Sequence, residues 1–135
     1  MNETSENNQI TIWPTLLYRD APAAIRFLIE AFGFFQKVAY PGEDEGTITH
    51  AELGWPGGGG VMLGSVRPDS TISELPPGTG SIYIYTDDPD GLFERACAAG
   101  ARIVLEVYDT DHGSRDFTVR DPEGVYWSFG TYRGA

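Results

Sequence analysis

Apolar positions along this chain recur with two periods, and the two periods follow one another in the same order twice. Residues Ile10 to Tyr18 are apolar and β-prone, which predicts a strand. Arg19-Asp20-Ala21-Pro22 then reads as a helix start, with Asp20 as N-cap and proline in the first turn. Ile25, Leu28 and Phe32 recur at helical spacing, and Gly33 supplies a C-terminal stop. Three β-like stretches follow: Phe34 to Tyr40, Thr47 to Trp55 and Gly60 to Val66. Pro41-Gly42 and the run Gly57 to Gly60 punctuate them as turns.

Arg67 to Gly80 holds three prolines and several small polar residues, and reads as a linker. After it the order restarts. Ser81 to Thr86 predicts a strand, and Asp88-Pro89 opens a helix that carries Leu92, Phe93, Ala96 and Ala99 and ends at Gly100. Arg102 to Tyr108, Ser114 to Arg120 and Val125 to Phe129 predict three more strands. Asp121-Pro122-Glu123-Gly124 is a tight hairpin turn between the last two.

The expected organisation is a flexible N-terminus over 1–9, a βαβββ module over 10–66, the linker over 67–80, and a second βαβββ module over 81–133. The helix-start aspartates Asp20 and Asp88 lie about half a chain apart, so this is one duplicated α+β domain. A solenoid would need at least three repeats. The modules are expected to form a curved mixed sheet with helices on its outer face. The other, concave face is then free for a ligand or for a module of a second chain.

Composition narrows the partners. The chain has 135 residues, 20 Asp+Glu against 9 Lys+Arg, and a net charge of -11. Lys37 is the only lysine. Such a balance argues against nucleic acid and against an anionic membrane surface. It is first of all a solubility feature, with a secondary bias toward cationic ligands. One cysteine, Cys97, excludes an internal disulfide and a cysteine-based zinc site, and its place among alanines predicts a buried inert thiol. No apolar run reaches the roughly 18 residues of a membrane span, and Met1 to Asn8 lacks a signal pattern. A cytoplasmic protein is expected.

The two βαβββ modules resemble the vicinal oxygen chelate superfamily of glyoxalases, extradiol dioxygenases, fosfomycin-resistance transferases and bleomycin-binding resistance proteins. The resemblance rests on Tyr18-Arg19-Asp20-Ala21-Pro22 through Phe27, on His50-Ala51-Glu52-Leu53 and Val61-Met62-Leu63-Gly64, and on Thr86-Asp87-Asp88-Pro89-Asp90. It is completed by Gly113 to Phe117 and by Arg120 to Trp127. Metal-using members place His, Glu or Gln ligands on the first, fourth, fifth and eighth strands. By this resemblance those positions fall at Trp13, near Met62, at Ser81 and at Ser128. None of these is a competent ligand for a divalent metal.

The resemblance therefore implies a metal-free member similar to bleomycin-resistance proteins, which bind stoichiometrically rather than catalyse. It also implies a homodimer. With the family register, Trp13, Thr15 and Leu17 face the cavity on the first strand, Ser81, Tyr83 and Tyr85 on the fifth, and Tyr126 and Ser128 on the eighth. Pro14, Leu16, Tyr18, Ile82, Ile84, Trp127 and Phe129 pack toward the helices. Aromatics with a few hydroxyls suit a planar or cationic small molecule, a drug or a metabolite. Tyr108, Asp109, Asp111 and His112 belong to a loop that rims the pocket in the family.

Two other readings stay open. A divalent metal held by His50, Glu52 and His112 would make the protein a lyase, isomerase or dioxygenase with a displaced site. A structural or regulatory dimer with a degenerate cleft is the third. The glycine run joins two strands and so is a hairpin tip, not a phosphate loop. Arg115 with Asp116, and Arg120 with Asp121, are expected ion pairs. Ser81 and Ser128 lack a positioned His-acid pair, so a serine nucleophile has no support.

Overall fold

The computed structural model describes residues 12–68, 75–77 and 79–134. The expected flexible start, Ile10 and Thr11 of the expected first strand, and residues 69–74 and 78 of the expected linker lie outside them. The first module runs β1 (Thr15–Tyr18), α1 (Ala21–Phe27), β2 (Phe35–Pro41), β3 (Ile48–Gly54) and β4 (Gly60–Ser65). The second runs β5 (Ser81–Tyr85), α2 (Pro89–Ala98), β6 (Arg102–Asp109), β7 (Arg115–Arg120) and β8 (Tyr126–Gly130). The α+β class and the two βαβββ modules are as the periodicity predicts. The strands form two four-stranded sheets of identical plan, β1-β4-β3-β2 and β5-β8-β7-β6. In each, the first and last strands pair in parallel and the remaining pairs are antiparallel.

Local chemistry sets both helix starts. The Asp20 carboxylate accepts from the Ala23 amide at 3.1 Å, and Asp88 accepts from the Gly91 amide at the same distance. Each satisfies one of the donors that a helix start leaves unpaired. After α1, Leu28–Phe32 winds as a π-helical turn, where the sequence predicts regular helix, and Gly33 ends it at φ 92. A π turn is intrinsically poor and persists where packing holds it. Here Leu28, Ala31 and Phe32 are all buried.

The duplicated helices are used unequally. α1 and its π turn bury Ala21, Ala24, Ile25, Phe27, Leu28, Ala31 and Phe32. α2 buries only Pro89 and Ala96. One core joins both sheets: Leu16, Tyr18, Leu53 and Leu63 of the first, Phe117, Val119, Trp127 and Phe129 of the second. Phe32 bridges them, with ring centroids 5.3 Å from Trp127 and 4.9 Å from Phe129. Arg95 of α2 donates to the carbonyls of Glu30 and Ile29, which closes the end of the first helix.

A polar clasp also joins the modules. Asp121, 1% exposed, accepts from the Tyr18 hydroxyl at 2.6 Å and the Trp127 indole N–H at 3.1 Å. Its other oxygen accepts the amides of Glu123, Gly124 and Val125. Glu123 in turn accepts the amides of Arg19 and Asp20 at 2.7 and 2.8 Å. The expected Arg120–Asp121 ion pair is therefore not made. Neighbours on a strand point to opposite faces, so Asp121 turns into the core while Arg120 stays outside. The Arg115–Asp116 pair fails for the same reason. Arg115 reaches Asp109 at 3.0 Å and Asp90 at 3.2 Å.

Burial, then the nearby Asp121 carboxylate, push the Tyr18 phenol far above its ordinary value of 10.0. The folded state thus keeps this proton while the unfolded chain releases it above pH 10. Stability is fully present below that pH and falls as pH rises beyond it, by about 1.4 kcal/mol per pH unit for this group. Urea titrations at alkaline pH should show this slope reduced by one proton in Tyr18→Phe; an unchanged slope would contradict the assignment.

Cys97 in α2 is half-buried rather than buried. Desolvation, Glu106 and Glu94 hold its thiol above the ordinary value, which disfavours the reactive thiolate.

Candidate ligand-binding faces

Each sheet turns one face to the shared core, so its other face looks outward. Strand alternation assigns these outer faces as expected. On β1, Leu16 and Tyr18 are buried while Thr15 is exposed; on β8, Trp127 and Phe129 are buried while Tyr126 is 38% exposed. Among the expected site residues, Ser81, Tyr83, Tyr85, Tyr108, Tyr126 and Ser128 all belong to the second sheet. Thr15 and Met62 belong to the first, and Trp13 lies just before its strand β1.

The second face has three rows that register defines. Ser81, Tyr126, Arg120 and Arg102 lie opposite one another across the four strands. The next row is Tyr83, Ser128, Thr118 and Leu105, and the third is Tyr85, Gly130, Asp116 and Tyr108. Ser128 and Thr118 hydroxyls are hydrogen-bonded at 2.8 Å, and the Tyr83 hydroxyl donates to the Tyr132 carbonyl at 2.7 Å. Gly130 is required by close approach. A Cβ there would meet the Asp116 carboxylate and the Tyr83 hydroxyl. Tyr83 and Tyr108 remain 44% and 42% exposed. The floor is aromatic.

On the first face, Thr15 lies opposite Met62, and Met62 opposite Glu52. Trp13 is half-buried with its ring over Gly60, and the Lys37 ammonium stands 5.6 Å from the ring centroid. His50 and Glu52 share this face as their spacing predicts. Nε2 of His50 lies 2.9 Å from the Glu52 carboxylate, and the Tyr40 ring stacks on the imidazole at 6.3 Å. His112 is exposed in the loop between β6 and β7, edge-on to Tyr132. It belongs to the other module, and His50, Glu52 and His112 are not brought together within one chain. Among the described residues, no group of three His, Cys, Asp or Glu side chains is placed to hold a metal ion.

One feature escapes the sequence reading. Between the modules lies a cleft of about 310 Å³, walled by Pro14, Phe34, Trp55, the turn Gly57–Gly60 and the free edge strand β5. The glycine run is the expected hairpin tip, with Gly58 and Gly59 at φ 108 and 91. It also forms a wall of this cleft, because it packs near β5 of the other module. Trp55 contacts Phe34 at 5.0 Å and Phe129 at 6.0 Å. Only its position beside an apolar strand hinted at such a role.

Residues 9–129 match the family model of the Glyoxalase/Bleomycin resistance protein/Dioxygenase superfamily. The chain belongs to that superfamily. Its relatives include Mb0911c, an uncharacterized protein of Mycobacterium bovis. That protein is 35% identical over 130 residues, 92% of this chain and 84% of its own length. TioX from Micromonospora sp. ML1 has the same fold, with a TM-score of 0.74 and 32% identity over 89% of this chain and 98% of that one. TnmS3, an antibiotic binding protein from Streptomyces sp. CB03234, has a TM-score of 0.68 and 21% identity, over 89% and 94% of the two chains. At that identity the likeness concerns the fold alone.

The positions expected from the resemblance to carry metal ligands hold an indole, a thioether and two hydroxyls: Trp13, Met62, Ser81 and Ser128. This donor set does not fit a divalent ion, which takes imidazole and carboxylate groups. No helix of the described residues is long and apolar enough to cross a membrane.

Proposed function

We propose that this protein binds a small planar molecule without a metal cofactor, in a cleft made between two copies of the chain. The carrying observation is the pair of outward faces: where ligands would stand, the surface is aromatic and open instead. Because the two faces look away from one core, a single chain cannot enclose a ligand with both. The first face of one protomer over the second face of its partner would do so. The edge strands β1 and β5, each paired on one side only, are available to join the sheets. A drug or metabolite ligand agrees with TnmS3 being an antibiotic binding protein.

Titration with the neutral planar probe N-phenylnaphthylamine tests this reading. We expect saturable quenching of tryptophan emission, from a species of twice the chain mass by sedimentation, in metal-stripped protein. Trp13→Ala should remove most of the quenching and weaken binding by roughly ten-fold. If Trp55→Phe removes it instead, the ligand occupies the cleft between the modules and the proposed site is wrong. The His50–Glu52 pair keeps the metal-dependent enzyme as a second reading. Stoichiometric metal in the purified protein, lost in His50→Ala, would favour that reading over ours.

A further inference from the structure

The second outward face carries an unexplained like-charge pair. Arg102 of β6 and Arg120 of β7 are direct partners in the antiparallel ladder. Val119, beside Arg120, is fully buried, so alternation sends Arg120 outward, and register sends Arg102 with it. Like charges directly opposed on one sheet face are destabilising. The chain has 20 carboxylates to offer. Neither guanidinium has a carboxylate partner among the described residues.

Arg120 is nevertheless held in place. Its Nε–H donates to the Gly124 carbonyl at 3.0 Å, and its guanidinium carbon lies 4.7 Å from the Tyr126 ring centroid. Its Nη groups have no protein acceptor among the described residues. The row Ser81, Tyr126, Arg120, Arg102 therefore lines up two hydroxyls and two guanidinium groups with no acid among them.

The other candidate rings repeat the theme. Arg133 lies 4.1 Å from the Tyr85 centroid and donates to its hydroxyl at 3.1 Å, and Lys37 stands over Trp13. These cations occupy the ring faces that a cationic ligand would need. The net charge of -11 opposes an anion at long range. Salt screens that repulsion beyond about 8 Å, whereas a charge-assisted hydrogen bond acts at about 3 Å. The local arrangement decides.

We propose that this row is an oxyanion subsite, and that the ligand is a planar aromatic carrying a carboxylate, sulfonate or similar group. The ring lies against Tyr83, which is 44% exposed and carries no cation over its face among the described residues, and the oxyanion bridges Arg102 and Arg120, relieving their repulsion. The inference rests on the reading that these faces bind a small molecule. It is tested with two probes of one scaffold, N-phenylnaphthylamine and its anionic counterpart anilinonaphthalene sulfonate, at fixed ionic strength. We expect the sulfonate to bind at least about ten-fold tighter than the neutral probe.

Arg120→Gln and Arg102→Gln should each remove about ten-fold of the sulfonate affinity and leave the neutral probe within about two-fold. Amide shifts on adding the sulfonate should centre on Ser81, Tyr126, Arg120 and Arg102. Equal affinity for both probes, equal losses in the Arg variants, or shifts centred elsewhere would overturn the subsite while leaving small-molecule binding intact. Binding of neither probe would overturn both.

Discussion

Replacing Asp121 with Ala should lower folding free energy by about 3–5 kcal/mol. The change removes the shared acceptor of Tyr18, Trp127 and three backbone amides. Four of these five donors, all but the part-buried Glu123 amide, are then left buried, where an unmet donor costs about 1–3 kcal/mol. Partial relaxation and entry of water keep the sum below the simple total. Asp121→Asn is a gentler variant. Its amide oxygen retains one acceptor, but its NH2 group faces donors, so a loss of about 2–3 kcal/mol is expected. Urea denaturation reads both. A loss under 1 kcal/mol for the Ala variant would mean that the clasp is ornamental.

Phe32→Ala should cost a similar amount, about 3–5 kcal/mol, by a different mechanism. The ring is 2% exposed and lies between Phe27, Trp127 and Phe129. Its removal leaves a cavity at the junction of the two modules. Because one core spans both, unfolding should remain a single transition, with far-UV circular dichroism and tryptophan emission coincident. Two separated transitions would show that the modules fold independently. Phe32→Leu, which keeps most of the volume, should recover more than half of the loss.

The legible parts of this molecule are those decided within a few residues. Asp20 and Asp88 cap helices through amides three positions on. Alternation on β8 separates Tyr126 and Ser128 from Trp127 and Phe129 correctly, because period two is a property of any strand. What was misread needs the third dimension. Asp121 sits in an Asp-Pro-Glu-Gly turn, a sequence that ordinarily marks solvent, yet its main partner Tyr18 is 103 positions away. The cations over Trp13, Tyr85 and Tyr126 come from other strands or from the chain end, so no spacing announces them. They change the chemistry of the candidate face from cation-seeking to cation-bearing. The π turn at Leu28–Phe32 is likewise a product of packing against the opposite sheet.

The asymmetry of the twin helices bears on how the halves belong together. The first helix is enclosed by both sheets, and the turn after β7 grips the backbone at Arg19 and Asp20 through Glu123. Cohesion therefore resides in buried surface and in the Tyr18–Asp121 clasp. Such complementarity is what holds two separate subunits together, and here it joins two halves of one chain. In this sense the chain behaves as a heterodimer that happens to be covalently continuous.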